Sequence, residues 1–244
     1  MSIEYLYRVI FILRTTKFSF IHRCEPLVYL EEEKQAVYLC QKILDTLDTH
    51  RSLFDGYQRQ PDIAKNLQKV LKPFHAKVKV HTNKTLDRGD IAIGGEFHYD
   101  RTYQPIHLHL HFSPKAQGKF QWTDKWEHFR FLVAQVLQHE LVHQHQCQFP
   151  EHAEGNYYDM NIDDKDIHYF SELDEIDAFG HDIAMEIRYY YPKEDPYQVL
   201  KTVSRRKYIH SYKYYTNTFK GLDWTCIRKR LIKKANNWIP FTHI

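Results

Sequence analysis

The chain reads as an α+β protein in which a short run of strands is followed by helices to the C-terminus. Three observations carry this. Between Pro105 and Phe112, apolar residues alternate strictly with histidines, the period of a strand. Two long segments, one ending near Gln148 and one stopped by Pro192, repeat their apolar residues at helical spacing. The last third is basic and helical in pattern, with no strand signal. A length of 244 residues fits one large domain or two small ones.

The elements follow in order. Glu31 to His50 places Ala36, Val37, Leu39, Ile43, Leu44 and Leu47 on one helical face behind an acidic first turn. Pro61 to Leu71 reads as a shorter helix with Pro at a tolerated first-turn position. Strands are expected at Ala76 to His81, Ile91 to Ile93 and Pro105 to Phe112, with Gly94-Gly95 and Ser113 to Gly118 as turns. In the last strand Ile106, Leu108, Leu110 and Phe112 form an apolar face and His107, His109 and His111 a histidine face. Thr123 is placed to cap a helix running to about Gln148. Pro150 to Lys165 is polar and reads as a loop. Ser171 is placed to cap the next long helix, and two or three basic helices follow, broken near Asn217 to Asp223. With no repeat and no flexible linker, the economical division is an α+β domain over residues 1–200 with a basic helical extension, 201–244, packed on it.

Composition narrows the function classes. Gly and Pro together are about 7% of the chain, and aromatic residues are 15%, which excludes collagen-like and low-complexity readings. No apolar run approaches the ~18 residues of a membrane helix. Val9 to Leu13, between Arg8 and Arg14, is too short for a secretory signal. The four cysteines, Cys24, Cys40, Cys147 and Cys226, form no C-x-x-C pair, so a reducing, cytoplasmic setting is expected. The net charge of +3 conceals an asymmetry. Lys201 to Lys234 holds 11 Lys+Arg against Asp223 alone, so this stretch carries +10 and the remainder −7. A basic third on an acidic body permits an anionic partner such as nucleic acid, with the interleaved Tyr208, Tyr212, Tyr214 and Tyr215 available for stacking. A solvated helical face explains the same charges, and no diagnostic nucleic-acid motif is present.

Seventeen histidines are an unusual number, and two of them lie in Gln138-His139-Glu140-Leu141-Val142-His143. This is an H-E-x-x-H motif in the middle of a predicted helix. Residues four apart are about 40° apart in projection and one turn along, so both imidazoles can reach one zinc ion. Glu140, beside the first ligand, is placed to act as general base and then as acid. At this composition about 0.07 such motifs arise by chance, so context matters. Leu132, Val136, His139 and His143 run at spacings of four, three and four, which turns the histidines towards the interior.

A third ligand must come from elsewhere. Gln146 and Phe149 stand where the H-E-x-x-H-x-x-G-x-x-H class needs Gly and His, which rejects that class. Downstream lies Ser171-Glu172-Leu173-Asp174-Glu175-Ile176-Asp177-Ala178. On a helical wheel with Ile176 at zero, Glu172 falls at about −40° and Glu175 at about −100°, so periodicity favours Glu172. Gly180 on that helix would permit close approach to the histidine helix.

From about Pro105 to Tyr191 the arrangement resembles the gluzincin-type zincins, and in particular metallopeptidases encoded by tailed phages. The matching residues are the H-E-x-x-H helix, the polar loop and Glu175-Ile176-Asp177-Ala178. The resemblance implies a zincin-like fold, a small mixed sheet with an edge strand beside the metal-binding helix. It further implies one zinc per chain on His139, His143 and Glu175, catalysis by Glu140, and a peptide or protein substrate. It also implies an edge strand along a substrate cleft, for which 105–112 is the candidate, its histidines lining the cleft or simply facing solvent. Tyr189, Tyr190, Tyr191 and His210 are candidate oxyanion partners, none favoured over another. If the chain is phage-encoded, its compartment is the host cytoplasm.

Overall fold

The computed structural model describes residues 39–87, 90–98, 105–114, 120–121, 125–148 and 165–242. These form a mixed α+β protein with eight α-helices and a three-stranded mixed sheet among the described residues. They divide into two compact units, with the division falling between Glu140 and Leu141.

In the first unit, helix α1 (Cys40–Thr49) buries Ile43, Leu44 and Leu47, as its sequence pattern predicts, together with Cys40, while Leu39 precedes the helix. The part of that expected helix before residue 39, the apolar stretch Val9 to Leu13, and Thr123 lie outside the described residues. A short strand β1 (Tyr57–Gln58) leads into α2 (Gln60–Val70), whose Pro61 sits in the first turn as expected. Then come β2 (Ala76–Thr82), β3 (Ile91–Glu96), β4 (Ile106–Phe112) and the short β5 (Phe120–Gln121), which pairs with β1. The sheet order is β2-β4-β3, with β2 parallel and β3 antiparallel to β4.

Two expectations are corrected here. The strand 105–112 is the central strand, hydrogen-bonded on both sides, so it has no open edge to which a substrate could add. Gly94-Gly95 is not a turn but the middle of β3. The reason is contact: a Cβ on Gly95 would lie 2.8 Å from Cδ of Glu140, closer than side-chain carbons are found. Glycine is thus what lets this edge strand lie against Glu140. The opposite edge is partly occupied, because Gln68 on α2 donates to Ala76 O and accepts from Val78 N, both at 2.8 Å. That amide stands in for a neighbouring strand.

Helix α3 (Trp126–Gln148) begins with Trp126, which is buried against Phe54 at 5.1 Å between ring centroids. Asp48 at the end of α1 accepts from Trp126 Nε1 at 3.1 Å and Arg130 at 2.9 Å, fixing where α3 starts. The unit division falls inside this continuous helix.

The second unit is built on α5 (Leu173–Tyr190), which is buried on all sides from Glu175 to Ile187. Of the expected loop 150–165, residues 150–164 lie outside the described residues, and Lys165 begins a helix instead. Ser171 does not cap α5. It ends a separate helix, α4 (Lys165–Ser171), and Glu172, with extended backbone, occupies the cap position. Residues 165–171 become helical through tertiary packing, since Phe170 sets its ring against Phe179 and Tyr215 at 5.4 and 5.5 Å. The chain continues through α6 (Pro196–Lys201), α7 (His210–Thr218) and α8 (Gly221–Trp238). Gly180 serves a different neighbour from the one expected. A Cβ there would stand 2.6 Å from Lys234 Cβ and 2.9 Å from Ala235 N, so its role is to admit α8. The same contact is tied by Asp177, which accepts from Trp238 Nε1 at 3.1 Å and pairs with Lys234 at 3.2 Å. The basic helices 201–238 thus pack within this unit, on α5. No helix among the described residues is long and apolar enough to cross a membrane.

Candidate metal centre

His139, Glu140 and His143 all lie on α3, in a stretch where apolar neighbours hold the helix in the interior. Val133, Ala134, Val136, Leu137 and Val142 are buried, and so are the three motif residues at 1, 3 and 4% exposure. The i, i+4 spacing therefore presents both imidazoles on one buried face, as the sequence implies.

Glu175 joins them. Ligand atoms of His139, His143 and Glu175 lie within 4.8 Å of one another, and all three residues are buried. His143 Nε2 is 3.2 Å from Glu175 Oε1. Two ligands at 2.0–2.1 Å from a tetrahedral zinc stand about 3.3 Å apart, so this pair is spaced to share an ion. Glu172 is not part of the group. The wheel favoured it because a wheel assumes helix throughout, whereas Glu172 has extended backbone (φ −62°, ψ 138°) and lies outside α5.

One residue that sequence reasoning passed over organises the site. Gln146 Oε1 is 2.8 Å from His143 Nδ1, and Gln146 Nε2 donates to Asp174 O at 3.3 Å. An amide oxygen only accepts, so the Nδ1 proton is on His143 and its Nε2 lone pair is left towards Glu175. The same amide ties the last turns of α3 to the first turn of α5. In the sequence Gln146 is visible only as the absence of a glycine.

The electrostatics are those of crowded carboxylates. Burial pushes Asp174 up to about 7, with Glu175 and Asp177 adding to the shift and His143 and Lys234 opposing it. Tyr215 is fully buried, and burial, then Glu175, Asp182 and Glu172, raise its phenol well above the usual range. It stays protonated, a neutral group facing these carboxylates. The tyrosines proposed from sequence are elsewhere. A rise of 1.5 Å per residue puts Tyr189 about 21 Å along α5 from Glu175. Tyr190 stacks on Tyr208, Tyr191 lies under Arg206, and His210 packs on Tyr190. His181 lies edge-on to Trp238 at 5.3 Å.

The histidine face of β4 is not solvated: His107 and His111 are buried and His109 is half-buried. His107 and His111 are 9 and 5% exposed. Burial holds all three imidazoles below their ordinary range, His109 at about 4, so these rings are uncharged near neutral pH. In the basic stretch Arg205, Lys207, Arg228, Lys229, Arg230 and Lys233 are exposed, but Tyr212 and Tyr215 are core residues and cannot stack on a base.

No family model matches this chain, and neither a curated protein nor a solved structure does. The site's own geometry therefore carries the functional reading.

Proposed function

We propose that the protein is a zinc-dependent metallopeptidase of zincin type, with His139, His143 and Glu175 as ligands and Glu140 as general base. The observation that supports it is the buried convergence of two imidazoles and one carboxylate, with a second buried carboxylate adjacent in the chain. A donor set of two His and one Glu, with a fourth position left open, is that of hydrolytic zinc sites. Zinc held there would supply Lewis-acid chemistry, polarising a carbonyl and making water acidic near neutral pH. The residues have separate tasks. Glu140 takes the proton of the attacking water and returns it to the departing amide nitrogen. Gln146 fixes the tautomer of His143, and Gly95 leaves room for the Glu140 carboxylate beside β3. The substrate on this reading is a peptide or protein.

The deciding experiment is metal analysis of untagged protein, together with hydrolysis of a casein-type substrate by the wild type and Glu140→Gln. One zinc per chain in both, with hydrolysis only in the wild type, is the expected result. Protein that takes up no zinc at all overturns the reading. The exposed cations of residues 201–234 favour one further role, docking on a polyanion such as nucleic acid, with or without proteolysis. Salt-dependent retention on DNA that survives loss of the zinc motif would identify it.

A further inference from the structure

The histidine face of the sheet carries a second set of metal donors, independent of the site on α3. Strand register builds it. Glu96 on β3 is the partner of His107 on β4, while Lys79 and His81 on β2 are the partners of His109 and His111. Because side chains alternate, all six stand on one face of the sheet. His98 reaches the same place from just beyond β3.

Three observations point to a ligand. First, the spacing suits an ion: His98 Nε2 is 3.6 Å from Glu96 Oε1, and His107 Nδ1 is 3.6 Å from Glu96 Oε2. Donor atoms of all three residues lie within 4.8 Å of one another, against about 3.3 Å around a tetrahedral ion. Second, a cation already stands among these atoms. Lys79 Nζ is 2.8 Å from His107 Nδ1 and 3.8 Å from Glu96 Oε2. An ammonium only donates, so Nδ1 presents its lone pair, the form in which imidazole binds a metal. Third, the carboxylate is held by a relay of the kind that backs metal ligands. His81 Nε2 is 2.7 Å from His109 Nδ1, and His109 Nε2 is 3.1 Å from Glu96 Oε2, so each ring can donate onward to Glu96. A merely solvated polar face explains none of these: His107 and Glu96 side chains are only 11 and 19% exposed.

We propose that Glu96, His98 and His107 form a second metal site, for a borderline divalent transition ion such as Zn²⁺, in which the Lys79 ammonium is the competing cation. Imidazole with carboxylate selects such ions over Ca²⁺ and Mg²⁺. Lys79, 35% exposed on a flexible stem, can swing to solvent when the ion enters. Occupancy is thereby coupled to displacement of a charged side chain, which makes the site weaker than the buried one and adjustable.

The test is equilibrium dialysis of the untagged full chain against added Zn²⁺, with folding followed by circular dichroism. The His139→Ala/His143→Ala variant should still take up one equivalent, and His98→Ala/His107→Ala should remove one equivalent from the wild type. Lys79→Met should tighten that same equivalent about tenfold, since it removes a positive charge from within a few Å of the ion. Should the histidine pair fail to fold, Lys79→Met and Glu96→Gln, one tightening and the other weakening the second equivalent, decide in its place. Unchanged Zn²⁺ uptake in His98→Ala/His107→Ala, or no tightening in Lys79→Met, overturns the proposal. Loss of the α3 zinc alone counts against the peptidase reading and leaves this site standing.

Discussion

The helical and the strand-borne donor groups use the same chemistry, two histidines and a glutamate, yet differ in what surrounds them. On α3 and α5 the side chains of His143 and Glu175 are 4 and 6% exposed, whereas those of Glu96, His98 and His107 are 11–29% exposed. A charge in the interior must be paired, because its desolvation costs several kcal/mol, while a half-open charge keeps part of its hydration. On the proposed readings, the buried α3 group would gain more from a cation than the sheet group, where the ion would exchange with Lys79. Burial, more than donor identity, is what distinguishes the two groups.

The largest effect should come from the α3 ligands. His139→Ala or His143→Ala should lower zinc affinity by more than the 10–100-fold that changes behind a ligand typically cost. Full zinc content of the purified double variant at limiting metal would erase the contrast between the two groups. Next, Glu140→Gln should retain zinc while hydrolysis drops by about 10²–10⁴-fold, the range of general acid–base help. Loss of zinc in that variant would make Glu140 a ligand instead. Third, Glu175→Gln should weaken zinc by about tenfold or more, whereas Glu172→Gln should barely change it. The reverse order, read by competition with a chromophoric chelator, would return the ligand role to Glu172. Fourth, Gly95→Ala should destabilise the fold by about 1–3 kcal/mol through overpacking against Glu140, and pairing it with Glu140→Ala should recover part of that loss in urea unfolding.

The smallest effect concerns acid. Burial first, then His81, lowers the His111 pKa in the folded chain. The unfolded chain therefore binds the proton first as pH falls through about 6.5, and stability is lost in that window. Between pH 7 and 5 the melting temperature of His111→Gln should therefore drop less, or rise more, than that of the wild type.

How legible the site was depended on the distance over which each residue acts. The spacing of His139, Glu140 and His143 is local, and the buried helical face they occupy could be read directly. The alternation of 106–112 was equally plain, but its central place in the sheet was not, because strand order depends on partners distant in sequence. Gly94-Gly95 looked like a turn for the same reason: the need for glycine comes from Glu140, 45 positions on. Glu175 was suggested by family resemblance and not by the wheel, which failed where the backbone at Glu172 leaves the helix. That Glu96 and His98 would meet His107 left no local trace at all.

Gln146 has a kinetic implication. A carboxylate behind a ligating imidazole raises its basicity and tightens its hold, whereas an amide lends no charge. With Gln146 behind His143, the orientation of the ring is secured but its donor strength is not increased. An ion held there would exchange faster than with glutamate at position 146, and Gln146→Glu should slow its release to a chelator.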